Sequence, residues 1–114
     1  GHSSEMASAS RATLVFDPAA LPLLEGAIEL AMTNLPGGGR TNESHFGSAV
    51  CVGPGVGEPL KRVFFDPQTS GGLLLAVSPG AVTALVSDLR LAGVEASRIG
   101  RVDAADPAFR VRLG

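Results

Sequence analysis

The chain is 114 residues long, 45% hydrophobic and formally −2 at pH 7, the dimensions of one domain with a single modest core. That charge gives no reason to expect nucleic acid or an anionic membrane as partner, and with neither Trp nor Tyr the chain lacks base-stacking platforms. No run approaches the roughly 20 apolar residues of a membrane span, nothing reads as a secretory leader, and a single cysteine, Cys51, excludes an internal disulfide. A cytoplasmic protein is expected.

Residues 3–10 read as the tail of a helix, or in part as a cloning remnant. Arg11 to Phe16 alternates, with Ala12, Leu14 and Phe16 on one face, which predicts a strand that Asp17-Pro18 breaks. Pro22 suits the first turn of a helix whose apolar stripe is Leu24, Ala27, Ile28 and Ala31, closed by Asn34 and Pro36. From Asn34 to about Gly57 the chain reads as a long connection with a short strand near Ala49 to Val52. Its Pro36-Gly37-Gly38-Gly39-Arg40-Thr41-Asn42 run suits a phosphate-wrapping loop, because converging N–H groups and an Arg fork favour an anion. A plain surface loop is the alternative.

Phe65-Asp66-Pro67-Gln68-Thr69-Ser70-Gly71-Gly72 runs without a spacer into Leu73-Leu74-Leu75-Ala76-Val77. This layout predicts a rigid polar corner at the mouth of a buried strand, with glycines that approach a neighbour closely or take positive φ. Asp66 either caps its own turn or meets a nucleotide-borne magnesium ion. Gln68, Thr69 and Ser70 can orient an anion and are unsuited to acid–base work near neutral pH. Ser78 as N-cap, Pro79 behind it and Gly93 as C-cap delimit a helix with Val82, Leu85, Val86 and Leu89 as its stripe. A hairpin follows: Ile99 to Val102, a turn over Asp103 to Pro107, then Phe109, Val111 and Leu113 inward with Arg110 and Arg112 outward. The order of elements predicts one α+β domain over 1–114, a layered fold with a mixed sheet packed by helices, and no internal repeat.

P-loop and dinucleotide fingerprints are absent from the sequence. His2, His45 and Cys51 stand in no ligand spacing, and Cys51 within Ala49-Val50-Cys51-Val52 reads as a small buried hydrophobe. No metal site and no catalytic residue is assigned to this chain.

The octapeptide Phe65 to Gly72 closely resembles the signature of the selenophosphate synthetase family. Gly1-His2 with Glu5-Met6-Ala7 and Ala9-Ser10, Leu21-Pro22 with Leu24, Gly26 and Ala27, Pro36-Gly37-Gly38 with Asn42, and the tail Leu91, Gly93-Val94, Ala96, Ile99-Gly100 and Val102 are similar to the same family in the same order. Ser3-Ser4 and Thr41 depart from its pattern, which has apolar and basic residues there. The resemblance implies the fold of the C-terminal domain of aminoimidazole ribonucleotide synthetase. It implies a larger enzyme making selenophosphate, AMP and phosphate from selenide, ATP and water, with magnesium and as a homodimer.

On that resemblance the reactive Cys or selenocysteine, the essential Lys and the magnesium-binding aspartates lie upstream of residue 1. The chain alone should then be inactive and bind neither ATP nor magnesium tightly. Its implied partner is the N-terminal nucleotide-binding domain of the same protein. The expected ligand-side or interdomain residues are Asp66, Gln68, Thr69, Ser70, Gly71 and Gly72, with Gly37, Gly38 and Asn42. Two alternatives stay open: a non-catalytic binding module reusing the fold, or the equivalent domain of thiamine-phosphate kinase or a hydrogenase-maturation protein.

Overall fold

The computed structural model describes residues 1–34, 36–68 and 70–114. Helix α1 (His2–Ser10) comes first, and Arg11, in the left-handed conformation at φ 50°, ends it and turns the chain into strand β1 (Ala12–Phe16). A 3-10 turn over Pro18–Ala20 follows, capped by the Asp17 carboxylate, which accepts from the Ala19 N–H at 3.0 Å. The next elements are α2 (Ala27–Thr33), α3 (Gly37–Phe46), β2 (Val50–Val52) and α4 (Glu58–Phe64). The chain closes with α5 (Val82–Leu91), β3 (Gly100–Ala104) and β4 (Val111–Leu113).

The four strands form one mixed sheet in the order β2-β4-β1-β3. Strand β4 runs parallel to both its neighbours, with Leu113 opposite Phe16 on one side and Val52 on the other; β3 is antiparallel to β1, with Val102 opposite Leu14. The expected α+β layered domain with a mixed sheet is what the chain forms. Its core is Ala7, Leu14, Phe16, Val111 and Leu113, with Met6, Val50, Phe64 and Ile99 among the side chains packed against it. Val111 and Leu113 are almost fully buried, each contributing about 1.5–3 kcal/mol by removal from water. Residues 2–10 are thus helical, with Ala7 in the core.

Several expectations need correction. The β1 pattern predicts one buried face, but Thr13 and Val15 on the other face are buried as well, Thr13 against the 105–110 segment that its hydroxyl bonds. Helix α2 begins at Ala27 rather than near Pro22: Gly26, at φ 78°, supplies the entry, and Leu24 is left exposed. The presumed connection from Asn34 to Gly57 contains a ten-residue helix, α3, and is followed directly by α4. Glycines disfavour a helix by about 1 kcal/mol each, yet close packing at its first turn offsets that cost.

The predicted hairpin does not form. β3 and β4 lie on opposite sides of β1 and do not pair with each other. The Thr13 hydroxyl accepts from the Asp106 N–H at 2.8 Å and donates to the Phe109 carbonyl at 3.1 Å, which draws residues 105–110 around the start of β1. The inward and outward assignments still hold for Val111 and Leu113 against Arg110 and Arg112.

Leu73–Val77 is the other correction. It joins no ladder, and Leu73 is 91% exposed. A continuous apolar run predicts burial only when other layers cover it, and within this chain none does. The α5 stripe behaves as expected, with Val82, Leu85, Val86 and Leu89 half-buried while their neighbours are exposed, and Gly93 sits beyond the helix end at φ 77°. The Ser78 carbonyl, rather than its side chain, serves the start of this region by accepting from the Ala81 N–H.

Candidate functional site

Helix α4 carries the root of the polar corner. Its sequence reads as a helix at both ends, with Glu58-Pro59 in the first turn and Lys61-Arg62 in the last, matching the macrodipole. That signal was available in the sequence and would have located α4. Phe64 meets Phe16 edge-on at 5.4 Å between ring centroids, tying the helix to the sheet. Phe65, 6% exposed, ends the helix by donating its N–H to the Lys61 carbonyl at 3.2 Å. Two tight backbone bonds follow, Asp66 N–H to Val63 and Gln68 N–H to Asp66, each 3.0 Å.

Two neighbouring helices brace this root. The Arg62 guanidinium donates to the Ala31 and Met32 carbonyls of α2, both at 3.3 Å, and its Nε donates to Glu58 at 3.3 Å. Lys61 Nζ lies 2.5 Å from Glu43 Oε1 of α3 and 3.4 Å from Glu58. The Glu43 hydrogen bond, aided by that to Glu58, raises the Lys61 pKa, while Arg62 first and then Lys61 lower that of Glu58. These four charges therefore satisfy one another, and the Lys61–Glu43 pair ties α4 to α3.

Two of the expected α3 residues meet the corner directly. Asn42 Nδ2 donates to the Phe65 carbonyl at 3.0 Å. Gly38, one helical turn earlier, lies so close to Pro67 that an added Cβ would stand 2.7 Å from its Cγ. Segments 23 or more residues apart in sequence are brought together here by close backbone approach, which is the reason for glycine at position 38. Gly37 faces open space, and Arg40 is exposed, with no ion pair among the described residues. Because residues 37–46 are helical, the run from Pro36 to Asn42 cannot wrap an anion as a loop.

Of the octapeptide, Asp66 is half-buried and Gln68, Ser70, Gly71 and Gly72 are exposed. Thr69 lies outside the described residues. Neither Gly71 nor Gly72 takes positive φ; Gly71 instead approaches Gln68, where an added Cβ would sit 3.3 Å from Oε1, and Gly72 faces open space. Among the described residues the Asp66 carboxylate makes no side-chain hydrogen bond, and the turn it is expected to cap runs into Thr69. No three His, Cys, Asp or Glu residues cluster to hold a metal ion among the described residues, and Cys51 is half-buried in β2. The corner can thus present neutral donors and acceptors, beside the Asp66 carboxylate, on a fixed base.

The family described as AIR synthase related protein, C-terminal domain, matches residues 1–112. The chain belongs to that family. Among curated proteins, this AIR synthase related domain is 48% identical over 103 residues to the selenide, water dikinase of Nitratidesulfovibrio vulgaris strain Miyazaki F, covering 90% of the chain and 29% of the relative. It is 36% identical over 102 residues to the selenide, water dikinase of Agathobacter rectalis, covering 89% and 30%. With that of Clostridioides difficile strain 630 it shares 38% over 104 residues, covering 90% and 30%. The domain therefore spans under a third of the length of these relatives. Both the braced corner and α3 fall inside the residues the family match covers.

Proposed function

We propose that this domain is the C-terminal part of an ATP-dependent selenophosphate synthetase, a cytoplasmic selenide, water dikinase that is homodimeric when complete. In that reaction selenide, ATP and water give selenophosphate, AMP and phosphate. Asp66, Gln68, Thr69, Ser70, Gly71 and Gly72, backed by Gly37, Gly38 and Asn42 of α3, form the ligand-side or interdomain face. The partner is the nucleotide-binding domain of the same protein. The observation that carries this reading is a polar corner rooted in the core through Phe64 and Phe65 whose outer residues are open to solvent.

The exposed Leu73, Leu75 and Val77 immediately beyond it support an interdomain position, since large apolar side chains clustered at a surface mark contact sites. Phosphoryl transfer depends on positioning and charge neutralisation. The corner's backbone N–H groups and the Gln68 and Ser70 side chains suit the first task by orienting phosphate oxygens. Among the described residues no group of three potential metal ligands comes together. The ion belongs with carboxylates elsewhere in the complete enzyme.

Two measurements test the reading. Calorimetric titration of the 114-residue chain with ATP and magnesium should show affinity no tighter than about 1 mM. Micromolar binding would show that the nucleotide site is built here and not by a partner domain. In the complete enzyme, Gly71→Val crowds Gln68 and the ligand-facing surface, and should cut turnover by at least about tenfold, roughly the loss of one well-placed contact. Normal turnover and nucleotide affinity in that variant would reduce the corner to scaffolding.

A further inference from the structure

We propose that Asn42 is a positioning residue, whose side-chain amide sets where the Asp66–Gly72 corner stands by holding its first carbonyl. The proposal rests on the reading of that corner as ligand-facing. It deepens that reading by assigning Asn42 to the corner's backbone rather than to the ligand.

The argument starts from an unmet need at the end of α4. The last carbonyls of a helix have no intrahelical partner, and a buried one without a donor is costly. Phe65 directly follows α4 and is almost wholly buried, so water is a poor substitute donor for its carbonyl. Asn42 supplies the donor from α3, at 3.0 Å across 23 residues of sequence. Gly38 and Asn42 are four residues apart and so share one face of α3. That face meets Pro67 and Phe65, two residues of the corner that flank Asp66.

The corner is consequently fixed at two points, one by a directional hydrogen bond and one by steric contact with a glycine. Lys61 and Glu43 add an ion pair between the same two helices, one residue further along α3. That ion pair fixes the distance between α3 and α4, but it touches neither Phe65 nor Asp66. Among the described residues the Asn42 amide is the side-chain donor that reaches the backbone from which the corner departs. A change at Asn42 should therefore move the corner while leaving the helix pair in place.

The test uses Asn42→Asp and Asn42→Ala in the complete protein that carries this domain. Asp keeps the shape but opposes an oxygen to the Phe65 carbonyl; Ala removes the side chain. Both lose the donor, so both should raise hydrogen exchange in peptides covering residues 64–68 about tenfold. Both should also raise the KM for ATP by about the same factor, with a smaller change in kcat. A space-filling role alone would spare Asp and injure Ala, and that pattern, or unchanged exchange in both variants, would overturn the proposal. Raised exchange with unchanged ATP KM and kcat would instead overturn the ligand-facing reading of the corner.

Discussion

Replacing Thr13 by valine keeps the size and branching of the side chain and removes one hydroxyl. That hydroxyl is 1% exposed as part of its residue and makes two hydrogen bonds, accepting from Asp106 N–H and donating to Phe109 C=O. Each bond contributes about 0.5–1.5 kcal/mol net, and a partner left buried and unpaired costs about 1–3 kcal/mol. Asp106 and Phe109 are half-buried, so water can partly replace the lost partner. The expected loss is therefore about 2–3 kcal/mol, a large share of the total of about 5–15 kcal/mol for a domain.

Urea unfolding of the chain, followed by far-UV circular dichroism, reads this loss. With a slope of about 1.5 kcal/mol per molar, the midpoint should fall by about 1–2 M. Thr13→Ser is the companion: it keeps the hydroxyl and sheds one buried methyl, worth about 1 kcal/mol. Valine should thus be the more damaging change although it preserves more volume. If valine matches the wild type within about 0.5 kcal/mol, or serine proves worse than valine, the two bonds do not hold residues 105–110 around β1.

Gly100 pairs with Phe16, and a Cβ there would collide with the Val15 carbonyl oxygen, a backbone atom that cannot turn aside. Gly100→Ala should cost about 1–3 kcal/mol and lower the melting temperature by about 5–15 °C in a calorimetric scan, and an unchanged Tm would contradict the packing of β3 on β1. The Asp106 carboxylate is held below its usual pKa by the Arg112 guanidinium first, then by the Ala108 and Phe109 N–H groups. A group depressed on folding stabilises above its unfolded pKa, about 3.9, and loses that contribution as pH falls toward its folded value. The urea midpoint of the wild type should accordingly drop between about pH 5 and pH 3 more steeply than that of Asp106→Asn. Equal slopes would show that the ion pair adds nothing to folding.

Local chemistry made much of the molecule legible. The β1 run up to Phe16 and its break at Asp17-Pro18, the half-buried stripe of α5, Gly93 beyond its end, and the inward Val111 and Leu113 all follow from periodicity and from residues with narrow backbone preferences. The octapeptide and its ordered companions led to the family because rare combinations of Pro, Gly and polar residues carry more information than composition. Interactions between distant segments decided the rest. Only the assembled domain shows that β1 lies between β3 and β4, since strand neighbours are chosen by long-range contacts such as those of Thr13, which a local pattern cannot encode. Likewise Pro36 to Asn42 has the composition of a loop, yet Gly38 and Asn42 stand on a helix because their partners, Pro67 and the Phe65 carbonyl, arrive from elsewhere in the chain. And Leu73 to Val77 has the composition of a core strand but remains exposed, because burial is a property of what covers a segment rather than of the segment itself.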